Sequence, residues 1–188
     1  MTLLPRQLKT RLADRCGAGV KWDEPMAGHT SLRVGGPADA MVTAQDPGEL
    51  MDLLDMLQLA GVPWLVLGGG TNLLVRDGGI RGVVICLGKG FEQIEIKDRP
   101  GGGTVVEAGA AVRLSTLCRY AEDRNLTGME FAAGIPGSVG GAIIMNAGTH
   151  EGAMESVIRE IDVLYDSGKV CTLDRRHLVF GYRSLSMK

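Results

Sequence analysis

Apolar positions follow two rhythms along the chain. Leu3, Leu4, Leu8 and Leu12 recur at helical spacing and Gly17 follows as a stop, so the opening segment reads as an amphipathic helix. Asp46-Pro47 opens a second helix in which Leu50, Leu53, Leu54 and Leu57 share a face, with Gly61 at its end. Val112 to Arg124 gives a third, with Leu114, Leu117, Cys118 and Ala121 on one side. Shorter apolar runs bounded by turn residues predict strands at Trp64–Leu67, Leu73–Val75, Val83–Leu87, Phe91–Lys97 and Thr104–Ala108. Val157–Tyr165 and Lys169–Leu173 predict a hairpin around Asp166-Ser167-Gly168. Residues 18–30 read as irregular, and short extended pieces cover Ser31 to Thr43.

Interleaved helices and strands imply a mixed fold. Between residues 73 and 108 strand follows strand through short turns, which demands antiparallel or mixed pairing and excludes a doubly wound parallel sheet. A glycine-rich break near residues 68–80 divides the expectation into an N-terminal lobe, 1–75, and a second lobe, 76–188.

Composition sharpens this at one point. Glycine accounts for 28 of 188 residues, about twice its usual share of ~7%, and the excess is clustered where backbone must turn or approach a ligand closely. The net charge is −2 with no long run of either sign, which argues against nucleic acid and against a membrane surface as partner. No apolar run reaches the ~18–20 residues of a membrane helix. Cys16, Cys86, Cys118 and Cys171 form no metal or redox spacing and read as free thiols of a reducing compartment. The opening segment lacks the pattern of a signal peptide, so a cytoplasmic location is expected. His29, His150 and His177 lie far apart and suggest no metal site.

Two glycine segments carry candidate chemistry. The run Leu67-Gly68-Gly69-Gly70-Thr71-Asn72-Leu73 ends an apolar strand in three glycines, then a hydroxyl and an amide. Successive N–H groups there can form an anion-binding nest suited to a pyrophosphate, although a plain glycine turn explains the triplet as well. The run lacks both the Walker Gly-Lys-Ser/Thr and the spaced dinucleotide fingerprint. The second segment is Ala133-Gly134-Ile135-Pro136-Gly137-Ser138-Val139-Gly140-Gly141-Ala142, continuing to Asn146-Ala147-Gly148. Its small side chains allow backbone to lie flat against a large planar ligand, or two elements to pack tightly, and Ser138 suits a helix cap.

Together with His29-Thr30-Ser31, Gly35-Gly36-Pro37-Ala38-Asp39 and Gly181-Tyr182-Arg183, these segments resemble the UDP-N-acetylenolpyruvoylglucosamine reductase family in order and spacing from about residue 22 onward. The resemblance implies an α+β, two-lobed FAD-binding fold of the PCMH/vanillyl-alcohol-oxidase type, with mixed sheets and flanking helices. It implies noncovalent FAD held at Leu67 to Leu73, with Ala133 to Ala142 (Val139 excepted) and Asn146 to Gly148 along the cofactor. It implies NADPH as hydride donor, a UDP-sugar as substrate, and a role in peptidoglycan precursor synthesis. Tyr182 and Arg183 match the family's substrate contacts. Arg183 matches its catalytic arginine, a guanidinium suited to a carboxylate that gains negative charge during hydride addition.

The sequence also departs from the family. His29 stands where the family usually has Asn. Leu185, flanked by Ser184 and Ser186, occupies a place where the family often has Ser. The family's third domain, which carries the proton donor and much of the UDP-sugar site, has no counterpart in these residues, so the chain is expected to be catalytically incomplete. Two further readings compete: another flavin oxidoreductase of the superfamily, with covalent FAD, and a noncatalytic flavin-binding module. No histidine or cysteine stands at a convincing flavin-attachment position.

Overall fold

The computed structural model describes residues 4–97, 103–165 and 168–188, and the chain divides into two compact units, Met1–Phe91 and Glu92–Lys188. In the first unit, α1 (Arg6–Cys16) buries Leu8 and Leu12, one helical turn apart, and ends at Gly17, whose φ is +52°. Leu3 lies outside the described residues. Strand β1 (Lys21–Pro25) pairs antiparallel with β2 (Pro37–Ala44).

Helix α2 (Pro47–Leu59) starts at two side-chain caps. Asp46 accepts from the Glu49 N–H at 2.9 Å, and the Glu49 carboxylate accepts from the Gln45 N–H at 2.8 Å. Its buried face is Leu50, Leu53, Met56 and Leu57; Leu54 sits at the margin. Strands β3 (Trp64–Leu67) and β4 (Ile80–Leu87) complete a sheet of order β1-β2-β4-β3, in which β4 runs parallel to both neighbours.

That central position of β4 moves the boundary. The glycine break suggests a division after residue 75, whereas the hydrogen bonds of β4 to β2 and β3 keep residues 80–87 in the first unit, which ends at Phe91. The strand expected at Leu73–Val75 is instead irregular chain that follows a turn at Thr71 and Asn72. Leu73 and Val75 pack singly against the core of Met26, Ala38, Met41, Leu67 and Val84.

The second unit opens with the antiparallel pair β5 (Ile94–Lys97) and β6 (Val105–Ala108). The turn expected between them, Pro100 to Gly103, falls largely outside the described residues. Helices α3 (Leu114–Glu122) and α4 (Val139–Ile144) share a core of Val112, Leu114, Leu117, Phe131, Ala132, Val139, Ala142, Ala147 and Met154. Three hairpins follow: β7 (Gly148–Thr149) with β8 (Gly152–Ala153), β9 (Glu160–Leu164) with β10 (Val170–Asp174), and β11 (Leu178–Gly181) with β12 (Ser184–Met187).

Candidate functional site

Each unit presents one of the glycine segments. In the first, Leu67 is buried at the end of β3, Gly68 and Gly69 are exposed, and Gly70 turns inward with φ +63°. The place of a Cβ at Gly70 is filled by the His29 carbonyl, so this glycine is required by packing alone. The Ser31 N–H donates to the Gly70 carbonyl at 3.1 Å and the Ser31 hydroxyl to that of Thr71 at 3.4 Å. The loop is thereby fastened to the His29–Ser31 segment. Thr71 and Asn72 are exposed, whereas Leu73 directs its side chain into the core.

His29 is anchored in turn. Its Nε2 lies 2.7 Å from the Glu24 carboxylate, which also faces Lys21 at 3.3 Å. The hydrogen bond from His29 is the main reason that the Glu24 carboxyl is held below the usual glutamate range. Thr30 is buried and donates to the Val34 carbonyl at 3.0 Å.

In the second unit, the chain from Ala110 to Leu114 runs against residues 137–140. Leu114 donates to the Gly137 carbonyl at 2.9 Å, Val139 to Val112 at 2.8 Å and Gly140 to Ala110 at 2.9 Å. Ser138 is buried and caps α4, accepting from the Gly141 N–H at 3.3 Å. A Cβ on Gly140 would press on Ala110, and one on Gly148 would strike Gly152 and Ala153 of β8. Those two glycines also answer to packing. Gly134 differs: its φ is +82° and a Cβ there would meet open space. Gly137 has φ +128°. Ala133, Gly134, Pro136, Gly141 and Gly148 form an exposed run of small residues, while Ala142 and Ala147 face the core and Ile135 packs against it.

Tyr182 and Arg183 form the two-residue tip of the β11–β12 hairpin, with Gly181 opposite Ser184. Tyr182 is 94% exposed, and Arg183 is exposed with φ +54°. Sequence reasoning missed this hairpin and its fastening. Asn146, at φ +42°, donates from Nδ2 to the Gly181 carbonyl at 3.2 Å and accepts on Oδ1 from the Glu155 N–H at 3.1 Å. At the hairpin base, Arg175 donates to the Leu178 carbonyl at 2.8 Å, stacks over Phe180 and lies 3.7 Å from the Glu155 carboxylate. An asparagine just after a helix, a residue type that adopts left-handed backbone readily, is the one sequence signal that could have pointed there.

Among the described residues, the cysteines form no competing centre. Burial pushes the thiols of Cys16, Cys86 and Cys118 up, away from the reactive thiolate. Among the described residues no group of three metal-ligating side chains converges, and no helix is long and apolar enough to cross a membrane.

Residues 38–174 match the FAD binding domain family. The chain belongs to that family. Within it, this FAD-binding domain is 47% identical over 169 residues to the UDP-N-acetylenolpyruvoylglucosamine reductase of Desulfosudis oleivorans, covering 90% of the chain and 54% of that relative. The reductase of Geobacter sulfurreducens is 46% identical over 187 residues, covering 96% and 60%. The crystal structure of the Thermus caldophilus reductase superposes with a TM-score of 0.72 at 35% identity, over 87% of this chain and 56% of that one. p-Cresol methylhydroxylase superposes at 0.60 with 18% identity, over 90% and 36%, a likeness of fold. The FAD-binding domain thus has the α+β fold shared by the reductases and the vanillyl-alcohol-oxidase type, and it spans about half the length of the curated relatives it matches.

The residues present fit such a cofactor. A phosphate bridge needs exposed backbone without bulk, as at Gly68 and Gly69, and a flat ring system needs a strip of small residues, as from Ala133 to Gly141. Where a member of either segment faces inward, its side chain is already engaged: Leu67, Leu73, Ala142 and Ala147 pack in or against the core, and the Ser138 hydroxyl caps α4.

Proposed function

We propose that this chain is the FAD-binding part of a UDP-N-acetylenolpyruvoylglucosamine reductase, holding FAD without a covalent bond. The observation that carries this reading is the 47% identity to a reductase over 169 residues, in a chain whose exposed small-residue strips lie in the two segments the cofactor requires. FAD would supply hydride transfer from NADPH to the enolpyruvyl group of the UDP-sugar, giving UDP-N-acetylmuramate for peptidoglycan. The N–H groups at Gly68 to Asn72 would face the pyrophosphate. The strip from Ala133 to Gly141, continued at Asn146 to Gly148, would lie along the rest of the cofactor, its small side chains leaving room for a flat ring.

Arg183 and Tyr182 would serve the substrate. Hydride addition to one enolpyruvyl carbon leaves negative charge on its neighbour, delocalised into the carboxylate. A guanidinium fixed beside that carboxylate stabilises this charge as it develops, an effect typically worth ~10²–10³-fold in rate. The exposure of Arg183 at a fastened hairpin tip supports this role. The test begins with FAD titration of the apoprotein and an absorbance spectrum before and after acid precipitation. Flavin released into the supernatant is expected; flavin left in the pellet, or no binding, overturns the reading. Arg183→Lys should bind FAD normally yet slow further the residual reoxidation of chemically reduced flavin by the enolpyruvyl sugar.

A further inference from the structure

Among the described residues of the second unit, Asn125, Asn146 and Arg183 adopt left-handed backbone although none is glycine, and one hydrogen bond ties the last two: Asn146 at φ +42° holds the carbonyl just before the turn that contains Arg183 at φ +54°. Asparagine visits this region readily because its short amide can bond locally. Arginine has no such excuse, and a non-glycine residue there costs about 1–3 kcal/mol, so surrounding contacts must hold it. Those contacts form a closed circuit. Asn146 accepts from Glu155 N–H, the Glu155 carboxylate faces Arg175, Arg175 grips Leu178 and Phe180 at the hairpin base, and Gly181 at the tip returns to Asn146. Both functional halves of the Asn146 amide are engaged, the acceptor toward the segment after β8 and the donor toward the tip.

We infer that Asn146 is the positioning residue of Arg183, setting where the guanidinium stands by clamping the turn that bears it. The inference rests on reading Arg183 as the cation that meets the substrate carboxylate. Of the two links that fasten the hairpin, the Asn146 bond at the tip is the decisive one, because the pair Glu155–Arg175 at the base is exposed and an exposed ion pair of this kind contributes little. The cofactor role expected for Asn146 is then carried by its neighbourhood, while its side chain serves the hairpin.

Asn146→Asp is the informative variant. It keeps the shape and the acceptor for Glu155, but a carboxylate has no hydrogen to give Gly181 and faces its carbonyl with like polarity. The carboxylic acid form regains the donor. The new carboxyl should therefore titrate above the ordinary aspartate value of about 3.9. The clamp is present below that folded pKa and lost as pH rises through it. Cleavage after the exposed Arg183 by trypsin at pH 8 should accelerate about tenfold, the equivalent of one lost hydrogen bond, with cleavage after Arg33 and Arg76 unchanged. Amide hydrogen exchange at Ser184, corrected for intrinsic rates, should be faster than in the parent at pH 7 and converge on it below pH ~4.

Should the aspartate variant not fold, Asn146→Gly, which keeps the left-handed backbone, replaces it for the trypsin measurement. Unchanged cleavage and exchange overturn the clamp whatever Arg183 does. With the clamp lost, the residual reoxidation of reduced flavin by the enolpyruvyl sugar, measured with FAD saturating, should slow further. Loosened exchange with normal reoxidation, alongside slow reoxidation in Arg183→Lys, overturns the positioning role. Normal reoxidation in Arg183→Lys itself overturns the reading of Arg183, and with it this one.

Discussion

The buried carboxylate of Asp39 and the guanidinium of Arg81 meet at 2.8 Å where β2 loses register against β4, between Ala38 and Ala40. Asp39 is 1% exposed, and its second oxygen accepts from the Gly82 N–H at 3.0 Å. The ion pair has poor hydrogen-bond geometry at Oδ1, so the charge contact carries that side. Arg81 also donates to the carbonyls of Pro37 and Gly78, at 3.2 and 2.8 Å. One arginine thus ties the bulge to the turn before β4. Asp39→Ala strands the Gly82 N–H in the sheet. Removing one partner of a buried pair costs about 3–5 kcal/mol; with Arg81 half in solvent, a loss of about 2–3 kcal/mol is expected in urea unfolding. A loss under about 0.5 kcal/mol, the range of ordinary surface substitutions, would show the pair to be incidental.

Gly69 and Gly70 should respond in opposite ways. Gly70→Ala drives a Cβ into the His29 carbonyl at a left-handed position and is expected to lower stability by about 1–3 kcal/mol. Gly69 is exposed and is not among the glycines of positive φ. Gly69→Val should fold normally and bind FAD at least about tenfold more weakly, if its bulk obstructs a pyrophosphate nest. Thermal unfolding and flavin titration on both variants check the pair. Equal FAD affinity in Gly69→Val and the parent would remove the pyrophosphate from this loop.

Gly134→Asn tests the other strip. Asparagine tolerates positive φ, and the space at the Cβ is open, so a stability change within about 1 kcal/mol is expected. Flavin content after purification should nevertheless fall. A fully yellow variant would leave the strip with packing as its only task.

Acid should weaken the anchor beneath the triple-glycine loop. The carboxyl of Glu24 is held low chiefly by His29, so its contribution is present above the unfolded value of about 4.3 and lost as pH falls through the lower folded value. Glu24→Gln should be less stable than the parent at pH 7 and approach it by pH ~3. Urea midpoints at the two pH values check this; parallel curves would assign the acid response to other carboxylates.

Much of this was legible beforehand, for physical reasons that differ by element. Asp46 and Pro47 wrote the start of α2 because capping is local chemistry. The β9–β10 hairpin followed from apolar runs around a turn, although Asp166 and Ser167 lie outside the described residues. Strand β1 was missed because Lys21–Pro25 buries almost nothing, and only pairing with β2 makes it a strand. The β11–β12 hairpin was missed because Tyr182-Arg183 is not turn chemistry; its shape is imposed by Asn146 from 35 residues away. The glycine segments were recognised by type, but which glycines face inward depends on His29, Ala110 and Ala153, contacts no spacing reveals.

The division among those glycines bears on descent. Gly70, Gly140 and Gly148 are fixed by neighbouring backbone and side chains, whereas Gly68 and Gly69 are exposed and a Cβ on Gly134 would meet open space. In a lineage that abandoned the cofactor, selection for folding would preserve the first three and release the others to drift. The signature would then outlive the activity, and its exposed half, rather than its full length, would report whether a descendant still binds flavin.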